Sequence, residues 1–329
     1  GVSYGSDLTF KTLGGIPEIT LPEVSEVTLN TAKLTGSVNP DYLPTSVFFE
    51  WGSTSAYGNV INIPGNLTAN TSANIVANLL GLTPETKYHY RIVAINELGT
   101  KRTDDMTFST YSVMDIDNNY YHSVNIGNQT WLSENLKATR FNNGKAIPQI
   151  TNQTEWESPT TGYAYCWYNN SSDYKDLYGA LYNYWVINPS ANAFRNVCPS
   201  GWHVPNVSEW SVLITYLKNN GYTSGGADNI AKSLAGNKGW NNDVTTGSVG
   251  NNLGANNASG FSAYGGGIRA NSPQGFIQMG IRGSWWANPD DFSGGYSYSC
   301  TDIFNYESIV RQANNYSTAG LSIRCIKDH

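Results

Sequence analysis

Charge is scarce in this chain: Asp, Glu, Lys and Arg make up 13% of its 329 residues, against roughly 25% in ordinary soluble domains. The 19 basic residues form no cluster and are outnumbered by 25 acidic ones, giving a net charge of −6. No surface is therefore expected that could follow a phosphate backbone, and nucleic acid is not an expected partner. Apolar runs long enough to cross a bilayer are lacking, and so is a leader-like segment. The four histidines, His89, His122, His203 and His329, sit in no HExxH pattern. Nor is there a GxSxG elbow or a glycine-rich loop opening a helix, so the common hydrolase and nucleotide signatures are absent. Glycoside hydrolysis needs two carboxylates about 5 to 9 Å apart, and nothing selects a pair from Glu134, Glu155, Glu157, Asp173 and Asp176. His203 reads as a structural histidine rather than a general base, and no enzymatic activity is expected. The four cysteines, Cys166, Cys198, Cys300 and Cys325, include no CxxC pair, which excludes the usual zinc and thioredoxin-like spacings. In an exported protein they read as two disulfides, in a cytosolic one as four buried thiols.

What the chain does have is aromatic and neutral polar: 22 Tyr, 10 Trp and 33 Gly accompany abundant Asn and Ser. Such residues populate adaptable binding surfaces, where flat rings give contact area at low entropic cost. They also fill β-sandwich cores, which is the expectation for any single ring.

The opening GVSYGSDLTFKT has an echo in GTKRTDDMTFST, which aligns Gly1 with Gly99, Asp7 with Asp105, Phe10 with Phe108 and Thr12 with Thr110. Both end in the period-two alternation of a half-buried strand. The spacing is that of a β-sandwich domain, so residues 1–14 read as the last strand of a preceding module, followed by a complete module over 15–110. That module shows short β-type runs, TAKLTGSV, SVFFEWG, ANIVANLLGL and TKYHYRIVAIN, between turn signals. Its LTPETKYHYRIVAIN stretch resembles the fibronectin type III family, with Leu82, Pro84, Thr86, Tyr88, Arg91 and Ala94 at matching positions. The resemblance implies an all-β sandwich with Tyr88 as the tyrosine corner, its hydroxyl bonded to backbone, and a spacer role.

Residues 111–329 differ in character. Strand-like DIDNNYYHSVNIGNQTWLSENL leads into Asn/Gly-rich loops with few helical patches. In DLYGALYNYWVI, Tyr178, Leu181, Tyr182 and Trp185 share one face of an expected helix. A second helix is expected from VPNVSEWSVLITYLKNN, with Asn206 as cap, Glu209 reaching back to it, and Trp210, Leu213, Ile214 and Leu217 buried. The ordered blocks IGNQTWLSENLKATRFNNGKAIP, YCWYNN, YGALYNYW, CPSGWHVPNVSEW, SGFSAYGGGIR, GSWWA and GLSIRCIKD resemble the major paralogous domain of Fibrobacter succinogenes. That family is in turn similar to the C-type lectin-like fold of the formylglycine-generating enzyme group and of retroelement variable proteins, through GWHVPNVSEW and GLSIRCIKD. The resemblance implies an α+β C-type lectin-like domain whose last strand is LSIRC. It also implies a Cys198–Cys325 disulfide, leaving Cys166 and Cys300 as the second pair. The enzymes of the wider fold use two closely spaced cysteines near the C-terminus, and Cys325 has no such neighbour.

By resemblance to the retroelement proteins, the Trp-, Tyr- and Asn-rich stretch after Gly283 would form the ligand face. Its expected members are Trp286, Asn288, Asp290, Asp291, Tyr296, Tyr298, Tyr306, Asn314, Asn315 and Tyr316. Trp285 and Trp286 are adjacent, so in a strand one of them points into the core. Asn288-Pro289-Asp290 is similar to the triplet by which calcium-dependent lectins hold ion and sugar, but no companion triplet follows. A plain turn is the reading there; no cofactor is expected, and calcium is the alternative. The expectation is a bacterial cell-surface or secreted protein, associated with the outer membrane and monomeric. Its spacers would present a lectin-like head to a host or bacterial surface glycan or protein. A glycan-processing enzyme or its carbohydrate-targeting accessory, and a structural surface component without a discrete ligand, are the alternatives.

Overall fold

The computed structural model describes residues 14–158, 160–289 and 298–328. The chain divides into two compact units, one ending at Ser112 and the other beginning at Val113.

Among the described residues, nine strands build the first unit: β1 (Glu18–Ile19), β2 (Glu23–Ser25), β3 (Thr31–Asn39), β4 (Ser46–Gly52), β5 (Asn59–Asn62), β6 (Ala73–Leu80), β7 (Lys87–Asn96), β8 (Gly99–Arg102) and β9 (Met106–Ser109). They form two antiparallel sheets. In one, β3 lies between β6 and the split first strand β1/β2; in the other the order is β5-β4-β7-β8, with β9 continuing beside β7. Alternation decides which side chains face inward: Ile75, Ala77 and Leu79 of β6 are buried while Val76 and Leu80 point to solvent. Leu34, Val38, Phe49, Tyr90 and Ile92 complete a core between the two sheets. The tyrosine corner is present, with the Tyr88 hydroxyl accepting from the Thr83 N–H at 2.9 Å.

The second unit uses shorter pieces. Its strands are β10 (Val113–Met114), β11 (Tyr120–Tyr121), β12 (Ser123–Ile126), β13 (Gln129–Leu132), β14 (Tyr165–Cys166), β15 (Leu181–Tyr182), β16 (Trp202–His203), β17 (Gly266–Arg269), β18 (Phe276–Met279), β19 (Arg282–Trp286), β20 (Tyr298–Phe304), β21 (Arg311–Asn315) and β22 (Ile326–Lys327). Its helices are α1 (Gln153–Glu157), α2 (Lys175–Tyr178), α3 (Pro189–Asn192), α4 (Val207–Asn219) and α5 (Ala231–Leu234). The larger sheets run β12-β13-β22-β16 and β19-β20-β21. Helix α4 forms as the sequence dictates: Asn206 accepts from the Glu209 N–H, and the Glu209 carboxylate accepts from the Asn206 N–H, both at 2.8 Å. Trp210, Leu213 and Leu217 are buried, with Trp210 against Trp131, Phe261 and Trp285.

Two expected elements differ. The DLYGALYNYWVI stretch is not one helix: α2 stops at Tyr178, Leu181 and Tyr182 pair with β14, and Tyr184–Val186 makes a single 3-10 turn. Gly179 sits at φ 73°, where a Cβ would come within 2.7 Å of Asn135 Cβ and the Leu136 carbonyl oxygen, so the chain turns out of the helix there. Tyr182 is then claimed by long-range bonds, exchanging backbone hydrogen bonds with Leu321 and donating its hydroxyl to the Ala138 carbonyl at 2.7 Å. Likewise LSIRC does not lie in one ladder. It runs between sheets, bridging Leu321 to Tyr182 and Ser322 to Trp285, and the terminal ladder strand is the following β22.

One disulfide joins Cys198 to Cys325. The second expected pair does not form. Cys166 is buried in β14 among Trp156, Ala164, Tyr168 and Leu181, and Cys300 lies in a different cluster, so each thiol is enclosed by its own packing.

Candidate functional site

The adjacent tryptophans of β19 define what the expected ligand face can be. They do point to opposite sides of the strand, but both sides are covered. Trp285 lies in the cluster of Trp131 and Trp210 and donates to Asn135 Oδ1 at 2.8 Å. Trp286 lies in the other cluster, fully buried, and donates to the Tyr182 carbonyl at 2.7 Å. Trp286 is a core residue, contrary to the expectation, because β19 is sandwiched rather than lying at the surface.

Beyond Trp286 the register of β20 on β21 sets Tyr298 opposite Asn315 and Ser299 opposite Asn314. The Tyr298 ring meets Tyr184 at 4.2 Å and Trp185 at 6.1 Å between centroids. Tyr184 donates its N–H to the Ser317 carbonyl at 3.0 Å, drawing the turn after Asn315 alongside. Trp185 and Tyr298 are half-buried, Asn314 is exposed, and Tyr316 is 72% exposed with its N–H bonded to Asn315 Oδ1. Three expected residues, Tyr298, Asn315 and Tyr316, thus come together, joined by Trp185, whereas Asn314, one step from Asn315 in β21, points to the opposite side of the sheet beside Val207 and Gln312. Its spacing in the sequence places Trp185 on a helix face instead. The signal that could have found it is the Gly179 stop, after which the aromatic spacing no longer follows a helix.

The other expected members separate. Tyr306 lies past the far end of β20, roughly 20 Å along the strand direction from Tyr298 at 3.3 Å per residue. Asn288 is half-buried and ties the chain to the segment before α4, its N–H donating to the Pro205 carbonyl and its Nδ2 to Val204. Asp290, Asp291 and Tyr296 lie outside the described residues, so of the expected triplet only Asn288 and Pro289 are seen. Among the described residues no three His, Cys, Asp or Glu side chains converge as metal ligands would.

Two of the candidate acids, Glu134 and Glu157, are engaged elsewhere, and both unpaired thiols are buried. Glu134 bonds the ring and N–H of His122, Glu155 lies in the first turn of α1, and Glu157 accepts from Gln153 and Ser272. Burial pushes both the Cys166 and Cys300 thiols up to about 12, with Asp302 adding to the effect at Cys300, so neither is an available nucleophile. His203 is clamped between Glu209 at 2.9 Å and Asp328 at 2.6 Å, and these carboxylates hold its pKa above the ordinary 6.5. A raised folded-state pKa stabilises fully below the unfolded value of about 6.5 and is lost as pH rises through the folded one. His203→Gln is expected to remove that decline, so melting temperatures of the two proteins measured from pH 5 to 9 should converge toward alkaline pH. A constant difference across the range would show that the clamp is not linked to protonation.

Among solved structures, the chain is similar to the sensor domain of the anti-sigma factor RsgI4 in Pseudobacteroides cellulosolvens. That likeness has a TM-score of 0.25 and 20% identity, and covers 30% of this chain and 98% of that one. It is also similar to a fibronectin type III domain derived from the human KIAA0970 protein, with a TM-score of 0.21 and 22% identity over 31% of this chain and 79% of that one. No curated protein sequence matches it. The hairpin β12–β13 from its second residue on, the Asn206-capped helix, the β19 tryptophans and the closing β22 all fall within residues 124–327, the span matched by one family model. By that match the chain belongs to the Fibrobacter succinogenes major domain family.

Proposed function

We propose that this is an exported surface protein whose second domain is a non-enzymatic, C-type lectin-like glycan-binding head, and whose fibronectin type III-like sandwich is a spacer. The observation that carries the reading is the group formed by Trp185, Tyr298, Asn315 and Tyr316: two half-buried rings and one exposed ring beside an amide. Pyranose rings stack their C–H faces on such rings while amides exchange hydrogen bonds with hydroxyls, and neither interaction needs a charged side chain or a metal. The Cys198–Cys325 disulfide fits an oxidising compartment. Small sheets around one long helix, with extended loops, are compatible with the lectin-like fold. No described helix is long and apolar enough to cross a membrane. The protein is taken to act as a monomer, without a nucleic-acid partner.

The test is binding of the full chain to a glycan array with and without calcium, beside Tyr298→Ala and Trp185→Ala. Selective, calcium-independent binding is expected, weakened about tenfold or more in each variant, which corresponds to about 1.4 kcal/mol. Silence on every glycan, or binding untouched by both substitutions, would overturn the reading. Trp286→Ala is no probe of this face, because it removes a core ring.

A further inference from the structure

A second concavity of about 260 Å³ lies where the 186–197 segment passes the start of α4, and its lining includes Ile187, Pro189, Phe194, Arg195, His203 and Asn288. It shares the 184–189 stretch with the aromatic group: Tyr184 and Trp185 pack on Tyr298, while the next residues, Val186 and Ile187, line this pocket. Its volume is below the roughly 300 Å³ at which pockets for drug-sized ligands begin, so it suits one ring-sized unit of a longer ligand.

Two features point to what that unit is. Ala193 and Phe194 are consecutive non-glycine residues in the left-handed region, at φ 55° and 57°, and Phe194 is 85% exposed. This left-handed turn closes α3, the Ala193 and Phe194 N–H groups both donating to the Pro189 carbonyl, and it leaves the Phe194 ring facing solvent at the rim of the pocket. Beside it, Arg195 is half-buried, with Nη1 donating to the Asn192 carbonyl at 2.6 Å. Arg140, Arg282 and Arg311 each have a carboxylate partner, and the terminal guanidinium nitrogens of fully buried Arg269 and Arg324 donate to neutral oxygens. Arg195 has no carboxylate partner among the described residues, although a guanidinium presents a fork of donors shaped for one. The other cation of the wall, His203, is already matched by Glu209 and Asp328. The pocket therefore holds one unneutralised cation beside one bare aromatic face.

We propose that this pocket is a subsite for a carboxylate-bearing sugar unit, its carboxylate on the Arg195 guanidinium and its apolar ring face against Phe194. The proposal rests on the reading of the head as glycan-binding and adds the class of glycan. The test uses the full chain on an array carrying uronic- and sialic-acid-capped chains beside their neutral parents, with an acidic peptide as a further arm. The wild-type protein is expected to prefer the acidic members at least tenfold, and Arg195→Gln to bind acidic and neutral chains alike. Phe194→Gly is the discriminating variant. Glycine accepts the positive φ, so its melting temperature should hold or rise while the acidic preference falls, an outcome that a purely structural phenylalanine would not give. Equal binding of acidic and neutral chains by the wild type overturns this subsite and leaves the glycan reading standing. Binding of the acidic peptide in place of the glycans overturns both, as does silence throughout.

Discussion

Replacing Cys198 and Cys325 together by alanine is expected to lower the unfolding free energy of the second domain by about 5 kcal/mol, the chain-entropy value for a bridge across 127 residues. Few single links in the molecule close so long a loop. The disulfide fastens the residues preceding Trp202 to the last segment of the chain, and that segment reaches into almost every other part of the domain. Leu132 and Leu136 donate their N–H groups to the carbonyls of Cys325 and Ile323, and Trp131 and His203 flank Ile326 in the ladder. Untethering it would therefore weaken the central sheet as well as the loop. Chemical denaturation of the oxidised protein and the double variant checks the magnitude, and a change below about 1 kcal/mol would show that the unfolded chain is not constrained by the bond. Mass spectrometry gives an independent reading: reduction should add two hydrogens rather than four, since Cys166 and Cys300 are free. Those two thiols should react with alkylating reagents only after denaturation.

How far the sequence reveals this architecture depends on the range of the interactions that decide each element. Helix α4 is legible because its determinants are local, with cap, return carboxylate and buried stripe falling within consecutive turns. The strands of the sandwich are legible for the same reason, since alternation marks them without reference to their partners. Tyr178–Trp185 misleads because its spacing is helical while its bonding is not. The partners of Tyr182, Leu321 and Ala138, are 139 and 44 residues away, beyond what periodicity can sense. Trp286 misleads for a related reason: composition marks the stretch after Gly283 as surface-like, yet β19 is covered on both faces by segments from elsewhere in the chain. The cysteine pairing divides along the same line. Cys198–Cys325 was carried by family resemblance, whereas a Cys166–Cys300 bond would have required two separately packed clusters to meet. Of the candidate face, Tyr298, Asn315 and Tyr316 were legible because they lie on or just after neighbouring strands close in sequence, whereas Asn314 misleads because one step along β21 turns its side chain to the other side of the sheet. Trp185 and Arg195 were not, since they reach their sites through a loop whose course is set by tertiary contacts.

Arg324→Leu is expected to be the most damaging single substitution in the second domain, and the reason is polar rather than hydrophobic. The side chain is completely buried, and its guanidinium donates to the carbonyls of Leu132, Phe261 and Ser262 and to Asn135 Oδ1, while stacking over the Phe261 ring at 4.5 Å. Burial lowers its pKa to about 10, still far enough above neutrality for the charge to persist. Leucine fills part of the volume but takes the guanidinium donors from the three carbonyls in a site closed to water, leaving Asn135 Oδ1 with Trp285 Nε1 alone, and each buried acceptor so orphaned costs about 1–3 kcal/mol. Allowing for relaxation, the loss should be about 4 kcal/mol, and a domain of this size should melt roughly 10 °C lower. Arg324→Lys restores the charge but not the planar fork, so it cannot reach four separated acceptors and should recover only a minor part. Asn135 sharpens the test. Its Oδ1 accepts from both Arg324 and Trp285 Nε1, so it couples the last segment of the chain to β19. Asn135→Leu combined with Arg324→Leu should therefore cost clearly less than the two single losses added, and strict additivity would mean that the residues do not act as one network.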